Sequence, residues 1–348
     1  MDKRSFINGI GPLWLAGFLL CLGACAGAPQ APPEVVFYSF QTRFQEDARA
    51  VQVQQKLGSK RLYQRIFDLD ADPKGGWTFV APLQLIDTPE APAIVPVVFL
   101  TPRSLPELDA ITRLASDLLQ KFAHYRSRYQ KMGKRVPELQ LDCDWTATTQ
   151  ERFFRLVELV ATQLDTLPVS CTIRLHQLRL EGPMEAPPAA RGVLMFYNTG
   201  RFDDPEESNS ILNLEVAEAY LPALSSYPLP LDLALPLFGW GVRFREGHFV
   251  DLHQQLTQEK LVRDSLLAQT DSTHFVVTRS HYLDGTYVYR GDEIRYEHVR
   301  AARLRAAINL YGRFDPPNTP RRLLFYDLNG ASSWNIHVLE HLIEDAFQ

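Results

Sequence analysis

The sequence predicts an α/β fold consisting of a single (β/α)8 barrel of the TIM type. Short apolar segments rich in β-branched and aromatic residues alternate with amphipathic stretches, and eight such segments occur along the chain. Several of these segments are almost continuously apolar, which is typical of parallel strands covered on both faces. The chain of 348 residues is long enough for one barrel, a fold that commonly takes about 250 residues.

The eight predicted strands resemble one another in length and in their content of Val, Ile, Leu, Phe and Tyr. They span residues 35–40, 61–67, 94–100, 138–143, 170–175, 192–197, 231–238 and 322–326.

Amphipathic stretches separate most of these strands and predict the helices of the outer layer. They span residues 44–57, 107–131, 147–165, 209–225, 299–312 and 334–346. In 147–165, apolar residues recur at helical spacing, which predicts one buried helix face. Two connections, 68–93 and 177–191, are rich in proline and acidic residues and show no strong helical pattern.

Residues 249–298 exceed what a strand-to-strand connection needs and predict an insertion between strands seven and eight. A helix is predicted near 252–268, and Asp284-Gly285 predicts the turn of a hairpin. A doubly wound open sheet is the alternative architecture. That fold favours a glycine-rich turn after the first strand, whereas Gln41-Thr42-Arg43 follows here.

The N-terminus predicts an export signal over residues 1–24. Lys3 and Arg4 precede an apolar run of about ten residues, which is too short to cross a bilayer as a helix. The sequence Leu22-Gly23-Ala24-Cys25 then resembles the lipobox of bacterial lipoproteins. The alternative is an ordinary signal peptide with an incidental cysteine.

The lipobox resemblance implies that Cys25 is diacylated and anchors the protein to a membrane, because two acyl chains suffice for stable anchoring. Ala26 implies sorting to the outer membrane, on its periplasmic or exterior face. Residues 25–33 are proline-rich and predict a tether. Residues 34–348 then form the barrel domain.

Composition excludes some functions. With 36 basic and 41 acidic residues the formal charge is −5, which does not indicate nucleic-acid binding. Neither a cofactor motif nor a metal-ligand spacing is recognisable. Cys143 and Cys171 share the outward face of neighbouring strands at different heights, so we expect two buried free thiols. The sequence does not indicate an oligomeric state.

The candidate site lies where the predicted strands end, because barrel chemistry occurs at the C-terminal ends of strands. On the fourth strand, Gln140, Asp142 and Asp144 alternate with apolar residues and face the lumen. We interpret Asp142 and Asp144 as catalytic candidates, since two carboxylates cleave glycosidic bonds in most glycoside hydrolases.

Polar and aromatic residues end nearly every other strand and are candidates for substrate binding. They are Tyr38, Asp68, Trp145, Arg174, His176, Tyr197, Asn198, Trp240 and Asp327. Aromatic side chains there suit stacking on sugar rings, and Arg174 is expected to hold Asp142 ionised. Purely structural interpretations remain open for four of these residues. Asp142 and Arg174 could form an ion pair at the C-terminal end of the barrel, His176 could be a residue of the rim without a catalytic role, and Trp240 could pack in the core.

The run Leu139 to Thr146 resembles the fourth-strand signature of chitinase-like glycoside hydrolases, Asp-x-x-Asp-x-Asp-x-Glu. Asp142 and Asp144 match its two middle acids, whereas its first acid is Leu139 here and its final glutamate is Thr146. The resemblance implies a barrel that handles glycans and aspartates that steer an acetamido group. The glutamate that serves as general acid in that family is missing.

The segments RIFDLD, LDCDW and TIRLHQ are also similar to those of exported bacterial barrel proteins for which no activity is established. Two functions therefore remain open. The first is a glycoside hydrolase that acts on envelope or environmental glycans. The second is a catalytically inactive barrel that binds a glycan or another envelope protein.

Overall fold

The computed structural model describes residues 32–179, 185–314 and 322–344. The predicted signal peptide and Cys25 lie outside these residues. Within them, no helix is both long and apolar enough to cross a membrane.

Eight parallel strands form a closed barrel, as the sequence predicts. The strands are β1 (Glu34–Ser39), β2 (Arg61–Ala71), β3 (Ala93–Leu100), β4 (Leu139–Cys143), β5 (Val169–Arg174), β6 (Arg191–Met195), β7 (Leu231–Pro236) and β8 (Arg322–Tyr326). Each strand pairs with the next in sequence, and β1 pairs with both β2 and β8. This closure excludes the doubly wound open sheet.

Side chains of the strands alternate between two separate apolar clusters. The lumen cluster includes Val36, Tyr38, Tyr63 and Val97, all of them fully buried. The residues between these positions point outward and pack beneath the helices in the larger cluster. The lumen is therefore a packed core, and a ligand has access only to its ends.

Helices occur where the sequence predicts them, one of them in the insertion, and a short helix that the amphipathic pattern does not predict follows β8. They are α1 (Ala48–Lys56), α2 (Leu108–Lys131), α3 (Gln150–Leu164), α4 (Leu214–Glu218), α5 (Gln258–Arg263), α6 (Ala301–Gly312), α7 (Leu328–Ala331) and α8 (Ile336–Glu344). Short 3-10 helices span Pro102–Ser104, Leu175–Arg179 and Leu221–Ser226. The connection between β2 and β3 has no helix; its strand Trp77–Val80 pairs antiparallel with β2.

The insertion after β7 forms a five-stranded antiparallel sheet and a hairpin. The strands of the sheet are Gly239–Arg245, His248–His253, Leu267–Gln269, His274–Val277 and Glu293–His298. The hairpin joins His281–Leu283 to Thr286–Val288 through the predicted Asp284-Gly285 turn. The sheet begins ten residues earlier than the predicted insertion, because the first strand follows almost directly on β7.

A charged network closes the N-terminal end of the barrel. Arg322 Nη1 donates to Glu138 Oε2 at 2.8 Å and to the Tyr63 hydroxyl at 2.6 Å, and Tyr63 donates to Glu138 Oε1 at 2.8 Å. Arg191 pairs with the buried Asp232 at 2.8 Å. Because these groups are paired and largely buried, we infer that the network stabilises this end of the barrel and has no role in ligand binding.

Cys143 and Cys171, the two cysteines among the described residues, are buried free thiols, as predicted. Leu141 lies opposite Cys171 in the pairing of β4 with β5, so Cys143 lies two residues further along.

Candidate functional site

The C-terminal ends of the barrel strands surround an open cavity of about 700 Å³. We call it the mouth cavity. Its lining is contributed by Phe40, Gln41, Thr42, Arg65, Asp68, Ala81, Phe99, Asp142, Arg174, Tyr197, Asn198, Phe238, Gly239, Trp240, Gln254, Gln255, Tyr326, Asp327 and Asn329. The barrel thus brings together seven of the residues that the sequence proposes: Asp68, Asp142, Arg174, Tyr197, Asn198, Trp240 and Asp327.

Asp142 is a buried carboxyl in the wall of this cavity, 4% exposed. Among the described residues its hydrogen-bond partner is Thr172, whose hydroxyl donates to Oδ1 at 2.6 Å. Burial raises the pKa of Asp142 to about 6, and Asp144 and Asp68 add to this effect. Arg174 and Thr172 act in the opposite direction but do not cancel it.

Asp144 has a different environment, although only two residues separate it from Asp142. Arg174 binds it with two nitrogens, through Nε at 2.5 Å and Nη2 at 3.3 Å. The expectation that Arg174 pairs with Asp142 and keeps it ionised is therefore wrong. The guanidinium pairs with the more exposed carboxylate, and the buried one is left without an ion pair among the described residues.

Arg65 and Asp68 form a second bridge in the cavity wall, with Arg65 Nε 2.5 Å from Asp68 Oδ1. Arg65 also donates to the carbonyl of Ala81 at 2.8 Å. Residues three apart on a regular strand point to opposite faces, but a bulge between Arg65 and Phe67 shifts the register. The bulge puts both side chains on the lumen side, which the strand pattern alone does not reveal.

Asp327 follows β8, across the barrel from β4, and contributes a further carboxyl to the mouth cavity. Its Oδ1 accepts a hydrogen bond from the N–H of Gly330 at 2.9 Å at the start of α7. Burial raises the pKa of Asp327, against the effect of this bond. Asp142 and Asp327 are thus two desolvated acids in one cavity, neither of them bridged to an arginine in the described structure.

Aromatic rings form one wall of the mouth cavity. The centroids of Tyr197 and Tyr326 lie 5.3 Å apart, and those of Phe238 and Trp240 lie 5.4 Å apart. Trp240 Nε1 donates to Glu297 Oε2 at 3.1 Å. Phe238 and Tyr326 end predicted strands seven and eight but are not among the predicted binding residues. Glu297 lies on another strand of the insertion, and the sequence pattern misses it.

A smaller cavity of about 310 Å³ adjoins the first, and Arg174, Tyr197 and Asn198 line both. Asp144 and His176 belong to this second cavity. Partial burial lowers the pKa of His176. The Arg174–Asp144 pair therefore lies beside both spaces.

Two predicted binding residues lie elsewhere. Tyr38 is fully buried in the lumen, where its hydroxyl donates to Gln140 Oε1 at 2.9 Å. Trp145 follows Asp144 by one residue and so points outward, where it is 1% exposed and packs edge-on against Phe154 of α3 at 5.1 Å. Neither ring is accessible to a ligand.

Thr146 occupies the position of the glutamate in the chitinase-like signature. It is exposed, and its hydroxyl lies 2.9 Å from that of Thr148 just before α3. The structure therefore provides no carboxyl at this position. No group of three or more His, Cys, Asp or Glu in the described ranges is arranged to hold a metal ion.

No protein-family model and no curated protein sequence matches this chain. Solved structures do match it. The spore cortex-lytic enzyme SleL of Bacillus cereus aligns with a TM-score of 0.54 and 14% identity, over 91% of this chain and 76% of that one. The Group IV chitinase of Ostrinia furnacalis, solved with allosamidin, aligns with a TM-score of 0.52 and 11% identity, over 91% and 100%.

A chitinase from Chromobacterium violaceum aligns with a TM-score of 0.51 and 11% identity, over 90% of this chain and 98% of that one. At these identities the similarity shows the fold alone. The chain has a chitinase-like (β/α)8 barrel.

Proposed function

We propose that this chain is an exported, lipid-anchored envelope protein that binds a glycan in the mouth cavity and hydrolyses it, with Asp142 as the proton donor. The proposal rests on the environment and the pKa of Asp142. It is a buried carboxyl without an ion pair in the described structure, its pKa is raised to about 6, and it lines an open cavity.

A general acid must hold a proton near the working pH, and burial is the usual means of achieving this for a carboxyl. Asp142 meets this requirement, so it is the candidate that protonates the glycosidic oxygen as the bond to the sugar carbon breaks. Asp144, fixed by Arg174, is suited to orient substrate groups. Asp327 lies across the cavity and supplies the second carboxyl, which would take a proton from the attacking water.

The cavity wall supports a glycan as the ligand. Sugar rings have an apolar face and polar edges, and the lining of the mouth cavity combines the rings of Tyr197, Phe238 and Trp240 with polar groups such as Asn198. The matched structures are those of chitinases and of a spore cortex-lytic enzyme, which agrees with a glycan ligand. We therefore place N-acetylated polysaccharides first among the substrates to test.

The central experiment compares the wild type with Asp142→Asn and Asp144→Asn. Each protein is incubated with chitin oligosaccharides, peptidoglycan and other polysaccharides, and products are identified by mass spectrometry. We expect products from the wild type, a loss of at least about a hundredfold for Asp142→Asn and a smaller loss for Asp144→Asn. Thr146→Ala is the matched control and should leave the rate unchanged, because Thr146 is exposed and does not line the mouth cavity.

The second candidate function is glycan binding without hydrolysis. It is favoured by Thr146, which takes the place of the signature's glutamate, and by the two arginine bridges to Asp68 and Asp144. Binding of oligosaccharides by the wild type without any product would establish this alternative and refute the hydrolase. Absence of both binding and products would refute both.

The anchoring part of the proposal rests on the lipobox-like sequence that ends at Cys25. Cys25→Ala should move the protein from the membrane fraction to the soluble fraction. Cys21→Ala, within the apolar run, is the matched control and should leave the protein on the membrane. If Cys25→Ala stays with the membranes as the wild type does, the proposed anchor is wrong.

A further inference from the structure

A further concavity lies away from the barrel mouth, between the insertion sheet and the first turns of α6. It has a volume of about 470 Å³, and we call it the α6 groove. Arg300, Arg303 and His298 line it, together with the hydroxyl residues Ser208 and Thr273. Among the described residues no carboxylate lines this groove, in a protein of net negative charge.

Only some of the basic groups that line the α6 groove form hydrogen bonds within the described structure. Arg303 Nε donates to the carbonyl of Leu212 at 2.7 Å. Arg300 is exposed and makes no hydrogen bond or ion pair with a described side chain. The ring of His298 stacks on Tyr296 with centroids 5.5 Å apart, and its Nδ1 is buried without a hydrogen-bond partner in the described structure.

Three acidic residues close in sequence to the lining residues are engaged elsewhere. Glu207 accepts hydrogen bonds from the Asn213 side chain at 3.0 and 3.2 Å. Asp271 accepts from the backbone and hydroxyl of Thr273 and lies 2.9 Å from Nδ1 of His274. Glu297 is adjacent to His298 on the strand and so points to the opposite face of the sheet, toward Trp240. These contacts leave the positive charge of the groove without a carboxylate partner.

We propose that the α6 groove binds a phosphate group, carried either by a soluble phosphate ester or by the headgroup of an anionic phospholipid. Guanidinium groups match phosphate oxygens in geometry and charge. The hydroxyl of Ser208 and the imidazole of His298 add donors. This site is separate from the mouth cavity and does not depend on hydrolysis there.

The charges within the groove support an anionic occupant. Burial and the charge of Arg300 lower the pKa of His298, so the protein itself disfavours a second cation here. A bound phosphate would offset this repulsion and favour the protonated ring. Phosphate should therefore raise the pKa of His298, which NMR of the ring protons can follow.

The test measures binding of inorganic phosphate and glycerol phosphate to the full-length protein by calorimetry, at constant ionic strength set with chloride. Arg300→Ala removes a side chain that makes no hydrogen bond or ion pair with a described side chain, and Arg279→Ala is the matched control because Arg279 is also exposed and lies outside the groove. We expect at least tenfold weaker binding for Arg300→Ala, unchanged binding for Arg279→Ala and partial rescue by Arg300→Lys. Equal affinity of wild type and Arg300→Ala, or no binding by the wild type in either arm, would overturn the proposal.

The second arm identifies the source of the phosphate. Vesicles of phosphatidylcholine with and without phosphatidylglycerol are sedimented with Cys25→Ala protein, which lacks the proposed acyl chains. Binding only to the anionic vesicles, lost in Arg300→Ala, assigns a lipid headgroup; binding only to glycerol phosphate assigns a soluble ester. Binding of neither vesicle nor ester would leave the groove without the proposed ligand and refute it.

Discussion

Thr172 donates its hydroxyl to Oδ1 of Asp142 at 2.6 Å across the pair of strands β4 and β5. This single bond joins a buried acid to the neighbouring strand, while the guanidinium two residues beyond Thr172 binds Asp144 instead. One carboxyl of the pair is therefore desolvated and the other is ion-paired. Opposite environments for two neighbouring acids are the arrangement from which acid and base roles arise in enzymes.

The first prediction concerns the stability cost of Asp142. Its pKa is about 6 in the folded protein against 3.8 in the unfolded chain, so the fold is favoured while Asp142 keeps its proton. The contribution of protonated Asp142 to the free energy of unfolding is fully present below about pH 4 and is lost as pH rises through about 6. The difference between the two pKa values corresponds to about 3 kcal/mol. Asp142→Asn should therefore raise the free energy of unfolding at pH 8 by about 1 to 3 kcal/mol and change it little at pH 4.

Denaturant unfolding at several pH values measures this effect. Glu206→Gln, at an exposed position in the loop after β6, is a control that should change neither the stability nor its pH dependence. A variant that is less stable than the wild type at pH 8 would contradict the raised pKa.

The second prediction concerns Arg174, whose charge lowers the pKa of Asp142. Arg174→Gln removes this charge, so Asp142 should keep its proton to a higher pH than in the wild type. The alkaline limb of the hydrolysis profile, or of the stability profile if no substrate is found, should move upward by a measurable fraction of a pH unit. Arg155→Gln, on the outer surface of α3, should leave the limb in place. A limb that moves down in Arg174→Gln would contradict this prediction, because both the loss of the Arg174 charge and the release of Asp144 raise the pKa of Asp142.

Particular residues show how far the sequence could predict this structure. All eight strands and the lumen side of Asp142 follow from period-2 alternation and apolar runs. The same alternation places Trp145 outward, so its assignment to the site contradicted the pattern. Tyr38 faces the lumen as alternation requires, but how deep a ring lies depends on the packing of the other seven strands.

The contacts that the sequence could not predict depend on irregular or distant structure. The Arg65–Asp68 bridge requires a bulge in β2, and the sequence of the strand does not indicate that bulge. The partner of Arg174 is set by side-chain reach at the strand ends, where two carboxylates were available. The contact of Trp240 with Glu297 joins residues 57 apart through the pairing of two insertion strands.

The third prediction concerns this contact. Glu297 is buried; Oε2 accepts from Trp240 Nε1 and from the backbone and hydroxyl of Ser210, and Oε1 accepts from Arg295 Nε at 2.7 Å. Glu297→Gln leaves the buried Arg295 without its counter-charge and should cost about 3 to 5 kcal/mol. Trp240→Phe removes the indole bond and part of the ring packing, while Glu297 keeps its other partners, and should cost less, about 1 to 2 kcal/mol. Urea unfolding of both variants measures the difference, and equal costs would show that the Glu297–Arg295 pair is not a stabilising element.

The last prediction concerns Cys143 and Cys171, whose pKa values burial raises, so that neither thiol is reactive in the folded state. Iodoacetamide should modify neither in the native protein at pH 8 and both in denaturant, without any reductant, as peptide mass spectrometry would show. Modification that requires prior reduction would mean that the two cysteines form a disulfide. Such a bond would need the strands to slide, since Cys143 lies two residues beyond the position opposite Cys171. The paired register of β4 and β5 therefore predicts the unbridged state.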